Sequence, residues 1–197
     1  MKNVEPILIV ESVIFIVGII LYIRHFIVTD SIPHPVSFGI WLIADIINLV
    51  TYIQLSKFWV PAAIMLMSAT ILVIIGIVKM KKTHRERLKI LDWVCIGIAT
   101  LSLLIWGITQ NALWSYLLIQ IVIALGFVPI INKLFHKKAE PLIPWFIPIV
   151  GWIIVCVDVS MSCTSLVELI YPFFNGLLGA SVVFVGSCIV VRQNAKW

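Results

Sequence analysis

The chain has 197 residues, of which 62% are hydrophobic and 12% are charged. A water-soluble domain contains about 45–50% apolar and about 25% charged residues, so the composition excludes a soluble fold and indicates an integral membrane protein. The formal net charge is +5. It comes from basic residues in short connections between apolar stretches, which the positive-inside rule explains without nucleic-acid binding.

Seven apolar stretches are long enough to be membrane-spanning helices, each of which needs about 20 mostly apolar residues. In chain order the predicted segments 1 to 7 cover about residues 7–26, 37–55, 59–79, 90–109, 112–134, 143–161 and 166–191. Segment 1 follows a single basic residue, Lys2, and no A-x-A cleavage site comes after it. We therefore expect a retained helix and not a signal peptide.

The basic residues divide unequally between the two ends of these segments. All of the 14 Lys and Arg residues except Lys2 and Lys57 lie at the ends of segments 1, 3 and 5, in the connections after segments 3 and 5, or in the C-terminal tail. Basic connections stay on the cytoplasmic side of a membrane. The chain is therefore expected to be a multi-pass cell-membrane protein with its N-terminus outside and its C-terminus in the cytoplasm, a split that seven spans also require.

The chain resembles itself at a separation of 107–108 residues. Residues 31–41 read SIPHPVSFGIW at the start of segment 2, and residues 139–149 read AEPLIPWFIPI at the start of segment 6. The ends of segments 1 and 5 also align, with Gly18 opposite Gly126. Proline suits these positions because its missing N–H has no partner in the first turn of a helix.

The repeat predicts an all-α membrane protein with seven transmembrane helices arranged as three plus one plus three. Residues 1–80 would form the first three-helix repeat, residues 81–111 a basic loop and linker helix, and residues 112–197 the second repeat and a short tail. The linker returns the chain to its starting side, so the two repeats are parallel. A substrate site is then expected between them, near mid-membrane.

Short proline-bearing motifs stand at the corresponding places of the two repeats. They are Pro33-His34-Pro35 with Ser37-Phe38 and Trp41, then Pro129, and Pro141 with Pro144-Trp145. With the seven-segment pattern, they make the chain resemble the SWEET and PQ-loop superfamily of small transporters. The resemblance implies an asparagine on the third helix of each repeat that binds substrate. Asn175 matches that position in the second copy, and its counterpart in the first is Ser68.

Segment 2 carries the most informative polar residues. Spacings of four, three and four residues place on one helix face the side chains of Trp41, Asp45, Asn48 and Tyr52. At 1.5 Å per residue, Asp45 lies roughly 12 Å and Asn48 roughly 16 Å from the helix start, close to the midplane. Two interpretations stay open: a substrate or proton site, with Asp45 as the candidate for proton coupling, and a polar contact that only holds helices together.

Other segments add further candidates. Gln120 on segment 5 and Trp152 on segment 6 are expected to complete a pocket with the residues above. The full set for solute binding is Trp41, Asp45, Asn48, Tyr52, Ser68, Gln120, Trp152 and Asn175. The expected bends are Pro129, Pro144, Pro148 and Pro172. Acidic residues toward the outer surface are expected to be solvated or, as the alternative, part of a gate: Glu11, Asp158 and Glu168.

These patterns predict a small secondary transporter or facilitator that moves a small polar solute by alternating access, and not an enzyme. The alternative is a scaffold, assembly factor or receptor with the same bundle. No HExxH, CxxC or phosphate-binding motif is present, so we expect no cofactor, no metal site and no catalytic residue. The expected partners are the solute and the lipid bilayer, with a second copy of the chain as an open alternative.

Overall fold

The computed structural model describes residues 6–29, 35–55, 59–80, 90–109, 111–162 and 165–195, and within these ranges the backbone is almost entirely helical. The helices are α1 Pro6–Val28, α2 Pro35–Leu55, α3 Trp59–Met80, α4 Ile90–Thr109, α5 Ala112–Phe135, α6 Leu142–Ser162, α7 Val167–Ile170 and α8 Gly179–Asn194. A π-helical stretch, Tyr171–Leu178, joins the last two. We call the continuous run Val167–Asn194 the C-terminal helix.

Five runs of described residues are long and apolar enough to cross a membrane. They are Pro6–Val28, Val60–Lys79, Tyr116–Phe135, Leu142–Ser162 and Val167–Asn194. A shorter apolar run, Val36–Val50, lies in α2. Large apolar side chains also cover outward faces: on α1, Ile9, Val13 and Ile20 are each more than half exposed. Lipid accommodates such a face without cost, so the structure is that of a membrane-embedded all-helical protein.

By their contacts, most of the described helices can be sorted into a first group, α1 to α3, and a second group, α5, α6 and the C-terminal helix. In the first group α3 contacts both α1 and α2, and in the second the C-terminal helix contacts both α5 and α6. Between the groups α1 packs on α6 and α2 packs on α5, while α4 packs on α5. Exchanging α1 with α5, α2 with α6 and α3 with the C-terminal helix leaves the contacts within and between the two groups unchanged.

Two close approaches between the groups correspond in the same way. A Cβ added at Gly126 would lie 2.1 Å from Nε1 of Trp41, and one added at Gly18 would lie 3.0 Å from the ring of Pro148. Gly18 and Gly126, the two glycines aligned in the sequence, are 108 residues apart, and Trp41 and Pro148 are 107 residues apart. At both places a glycine lets a ring on the facing helix approach the backbone.

Charged and polar groups gather at the end of the bundle where α1, α3, α5 and α8 end. The ammonium of Lys79 donates a hydrogen bond to the carbonyl oxygen of Thr29. At the same end, the amide nitrogen of Asn194 donates to the carbonyl oxygen of Lys137, 3.3 Å away. We call this the basic end of the bundle, and the other the opposite end.

Candidate functional site

A cavity of about 120 Å³ lies between the two groups of helices. Its wall is built by α1, α2, α3, α5, α6 and the C-terminal helix. Five of the predicted binding residues line it: Trp41, Asp45, Ser68, Trp152 and Asn175. Of the predicted bends, Pro144 and Pro148 line it as well. Residues that are far apart in the sequence, and that were predicted from different patterns, therefore meet at one cavity.

A chain of amide hydrogen bonds crosses the bundle beside this cavity. Nε2 of Gln120 donates to Oδ1 of Asn48 at 2.9 Å. Nδ2 of Asn175 in turn donates to Oε1 of Gln120 at 2.6 Å and to its backbone carbonyl at 3.1 Å. All three side chains are buried. Asn48 and Gln120 do not belong to the cavity wall, so their amides tie α2, α5 and the C-terminal helix together behind it.

Replacing Gln120 by Leu is expected to lower the free energy of unfolding. The change keeps a similar volume but leaves the amides of Asn48 and Asn175 without this partner, at a cost of about 1–3 kcal/mol for each buried group left unsatisfied. Denaturation of the detergent-solubilised protein by SDS measures the effect. The control is Ile121→Leu, an apolar change at an exposed position of the same helix. Equal stability of both variants would contradict the role of the amide chain.

Asp45 lies in the cavity wall in an unusual setting. Its side chain is 5% exposed. Within the described part of the chain it has neither a hydrogen-bond partner nor an ion-pair partner, and no lysine, arginine or histidine is found among the described wall residues. A buried carboxylate is ordinarily paired, because removal from water penalises its charge. Asp45 is therefore the chemically exceptional group of the site.

Five aromatic rings form a closed circuit around one part of the cavity. In order around the circuit they are Tyr22, Phe38, Trp41, Phe127 and Trp145. Neighbouring ring centroids are between 4.8 and 6.4 Å apart. The spacing matches the edge-to-face and tilted packing that aromatic pairs prefer. The rings come from α1, α2, α5 and α6, so the circuit links both groups of helices.

The π-helical stretch brings the C-terminal helix against the same wall. It starts at Tyr171 and includes Pro172, which has no N–H to donate to the preceding turn. Asn175 and Gly176 follow within it and line the cavity. A Cβ at Gly176 would lie 2.3 Å from the ring of Trp152, so this glycine admits the tryptophan.

A buried ionic cluster lies beside the aromatic circuit at the basic end. Oε1 of Glu140 is 2.6 Å from Nζ of Lys133, and the hydroxyl of Tyr22 donates to Oε2 of Glu140 at 3.0 Å. The backbone N–H of Glu140 donates to Oγ of Ser187 at 3.1 Å. Glu140 is 4% exposed. The sequence interpretation missed this cluster; a lone acidic residue next to the lysines that follow segment 5 was the available signal.

The other predicted residues do not all contribute a free polar group to the cavity. The side chain of Tyr52 lies outside the described residues. Pro129 and Pro172 are buried but belong to no part of the cavity wall. The hydroxyl of Ser68 donates to the carbonyl oxygen of Met65 at 2.7 Å. Ser68 therefore lines the cavity with its donor already used.

The expectation of solvated acidic residues toward the outer surface is wrong. Glu11, Asp158 and Glu168 are 1%, 8% and 5% exposed. Antiparallel packing of α1 on α6 brings Glu11 near Asp158, because Phe15 already meets Trp152 with ring centroids 4.7 Å apart. Periodicity did not reveal this burial, since α1 is apolar on all sides.

The features of the site are a small cavity, an aromatic wall, one buried carboxylate and an ionic cluster at the basic end. No protein-family model, curated protein or solved structure matches this chain.

Proposed function

We propose that the protein is a small secondary transporter or facilitator that moves a small polar solute across the membrane by alternating access. The observation that carries this proposal is the cavity between the two groups of helices, with Asp45 and Asn175 in its wall. A cavity between two helical groups with polar side chains in its wall can hold a solute at mid-depth. Transport requires no cofactor, and we propose no enzymatic reaction.

The arrangement of helices supports the same proposal. The contacts within and between the two groups stay the same when the groups are exchanged, as two parallel repeats with α4 as linker would give. In this proposal all seven helical runs span the membrane, and the chain resembles SWEET and PQ-loop transporters. The N-terminus lies outside, and the basic end faces the cytoplasm, since 12 of the 14 Lys and Arg residues, all except Lys2 and Lys57, are assigned to that side.

Contacts at the basic end would have to break during the proposed alternating-access cycle. In the state described, the aromatic circuit and the ionic cluster of Lys133, Glu140 and Tyr22 join elements from both groups at this end. Release of solute toward the basic end requires these contacts to separate. A transporter moves between states in which one end or the other is closed, and the cluster would hold one of them.

The alternative function is a scaffold, assembly factor or receptor. That class predicts Asp45 and Asn48 packed between helices without space beside them. Asn48 fits this prediction, because its amide oxygen accepts an interhelical hydrogen bond. Asp45 does not fit it, since it faces a cavity and has no partner in the described chain. The cavity therefore favours transport over a purely structural role.

Filling the cavity tests the proposed function. Ala69 lines the cavity at 3% exposure, whereas Met67, two residues before it on α3, is 64% exposed on the outer face. We expect Ala69→Phe to abolish uptake into proteoliposomes, because the ring occupies space that the solute needs, and Met67→Phe to leave uptake unchanged. Solutes for the assay come from a thermal-shift screen of sugars, amino acids, nucleosides and vitamins. Uptake that survives in a folded Ala69→Phe protein would contradict transport through this cavity.

A further inference from the structure

The charge in the wall of the cavity comes from one side chain. Asp45 is the only charged side chain among the described residues that line it. The hydrogen-bond donors of four other wall side chains are already used within the protein, namely those of Tyr22, Trp41, Ser68 and Asn175. The Asp45 carboxylate and Oδ1 of Asn175 receive no hydrogen bond within the described chain, and the buried indole N–H of Trp145 donates none there. The site therefore offers its occupant negative charge, acceptor oxygens and an indole N–H, and no positive charge among the described residues.

Aromatic rings make up much of the remaining wall. They are Tyr22, Phe38, Trp41, Phe127, Trp145, Trp152 and Tyr171. The faces of such rings carry partial negative charge and attract cations, most strongly where water is excluded. A cage of rings next to one carboxylate is the arrangement that recognises an ammonium group with an apolar body.

From these observations we propose that the solute is a small organic cation, whose ammonium group pairs with Asp45 and whose apolar part packs within the aromatic circuit. An anionic solute is disfavoured, because no basic group is found in the described wall to offset the repulsion of Asp45. A neutral solute offers Asp45 no counter-charge, so the buried carboxylate would have to take up a proton. Movement of the cation across the membrane rests on the proposed function. Binding of the cation does not, and it is tested independently.

The same wall argues against a bare metal ion. Hard cations take several oxygen ligands to replace their hydration shell. The cavity offers the oxygens of Asp45 and Oδ1 of Asn175, while most of its lining is apolar. Among the described residues no group of three or more His, Cys, Asp or Glu side chains could hold a metal ion. An organic ammonium, which is weakly hydrated and brings its own apolar surface, fits this lining better.

The volume of the cavity limits the size of the cation. About 120 Å³ lies well below the roughly 300–1,000 Å³ of pockets for drug-sized ligands. A cation with few heavy atoms is therefore expected, and choline is a suitable probe. Its neutral counterpart is 3,3-dimethyl-1-butanol, in which a carbon atom replaces the nitrogen and the shape is nearly the same. The pair isolates the contribution of charge.

Binding of the two probes to the detergent-solubilised protein, followed by calorimetry, tests the proposal. We expect choline to bind the unaltered protein at least about tenfold more tightly than the alcohol, since loss of one charge partner from a buried pair costs more than the 1.4 kcal/mol that corresponds to a factor of ten. Asp45→Asn should abolish this preference. Glu11→Gln, which alters another buried carboxylate outside the cavity wall, should keep it.

A second variant keeps the test valid if Asp45→Asn fails to fold. Phe38→Leu removes one ring of the circuit and retains an apolar side chain, and we expect about threefold weaker binding of choline with little change for the alcohol. Equal affinity of the folded protein for the two probes, or a preference that survives in Asp45→Asn, overturns the proposal. Binding of choline without flux in proteoliposomes would support the cation site and contradict transport. Uptake of a neutral solute without binding of choline would support transport and contradict the cation site.

Discussion

Replacing Asp45 by Asn is expected to abolish concentrative uptake of the transported solute and the dependence of that uptake on pH. Asparagine has nearly the same shape as aspartate but neither gains a proton nor carries charge. The other titratable side chains in the described wall are the phenols of Tyr22 and Tyr171. Tyrosine ordinarily keeps its proton below about pH 10. Asp45 is therefore the wall group whose charge would respond to acidic and neutral pH.

The measurement is initial uptake into proteoliposomes with and without an imposed pH gradient. We expect at least a tenfold loss in Asp45→Asn, roughly what the loss of a buried charge partner implies. Asp45→Glu preserves the charge and should retain part of the activity. Unchanged uptake and unchanged pH dependence in a folded Asp45→Asn protein would show that the coupling role is wrong.

A methyl group at Gly126 is expected to destabilise the junction between the two groups of helices. The added Cβ would lie 2.1 Å from Nε1 of Trp41, which itself donates to the carbonyl oxygen of Ile123 at 2.9 Å. The tryptophan has to shift, and both its hydrogen bond and its place in the aromatic circuit are disturbed. Overpacking of this kind costs about 1–3 kcal/mol, so Gly126→Ala should lower the free energy of unfolding by that amount.

Two further glycines serve as controls for this prediction. Gly97 on α4 has no atom within 4 Å of an added Cβ, so Gly97→Ala should be neutral or stabilise the helix by up to about 1 kcal/mol. Gly18 faces the Pro148 ring at 3.0 Å, a milder approach, and Gly18→Ala should have a smaller effect than Gly126→Ala. SDS denaturation or thermal unfolding in detergent ranks the three variants. A Gly126→Ala protein as stable as the Gly97→Ala protein would contradict the close packing at Trp41.

The polar residues within segment 2 show how far sequence reasoning reaches into the site. Helical spacing placed Trp41, Asp45 and Asn48 on one face, and the structure turns that face toward α5 and the cavity. The spacing did not predict which of these residues would line the cavity and which would bond to another helix. Asp45 lines the cavity without a partner, whereas Asn48 is bonded to Gln120. The difference depends on a helix 72 residues further along the chain, which no local pattern encodes.

Glu140 and the aromatic circuit show where sequence reasoning ends. In a water-soluble helix, an apolar stripe against a polar face reveals which side is buried. Here lipid and core both favour apolar side chains, so α1 and α6 are apolar all round and their inward faces have no distinct signature. The partners of Tyr22, for example, are Glu140, two residues before α6, and three aromatic rings on α1, α2 and α6. Only packing brings them together.

By itself, the sequence determined that the chain is helical and membrane-embedded, and it located the helical runs to within a few residues. Those properties follow from local composition, because each helix satisfies its own backbone hydrogen bonds in lipid. The tertiary structure decided which polar groups are paired, which face a cavity and where the aromatic circuit and the ionic cluster form. Those properties follow from contacts between helices distant in sequence, and they leave Asp45 as the one charged group without a partner in the described wall.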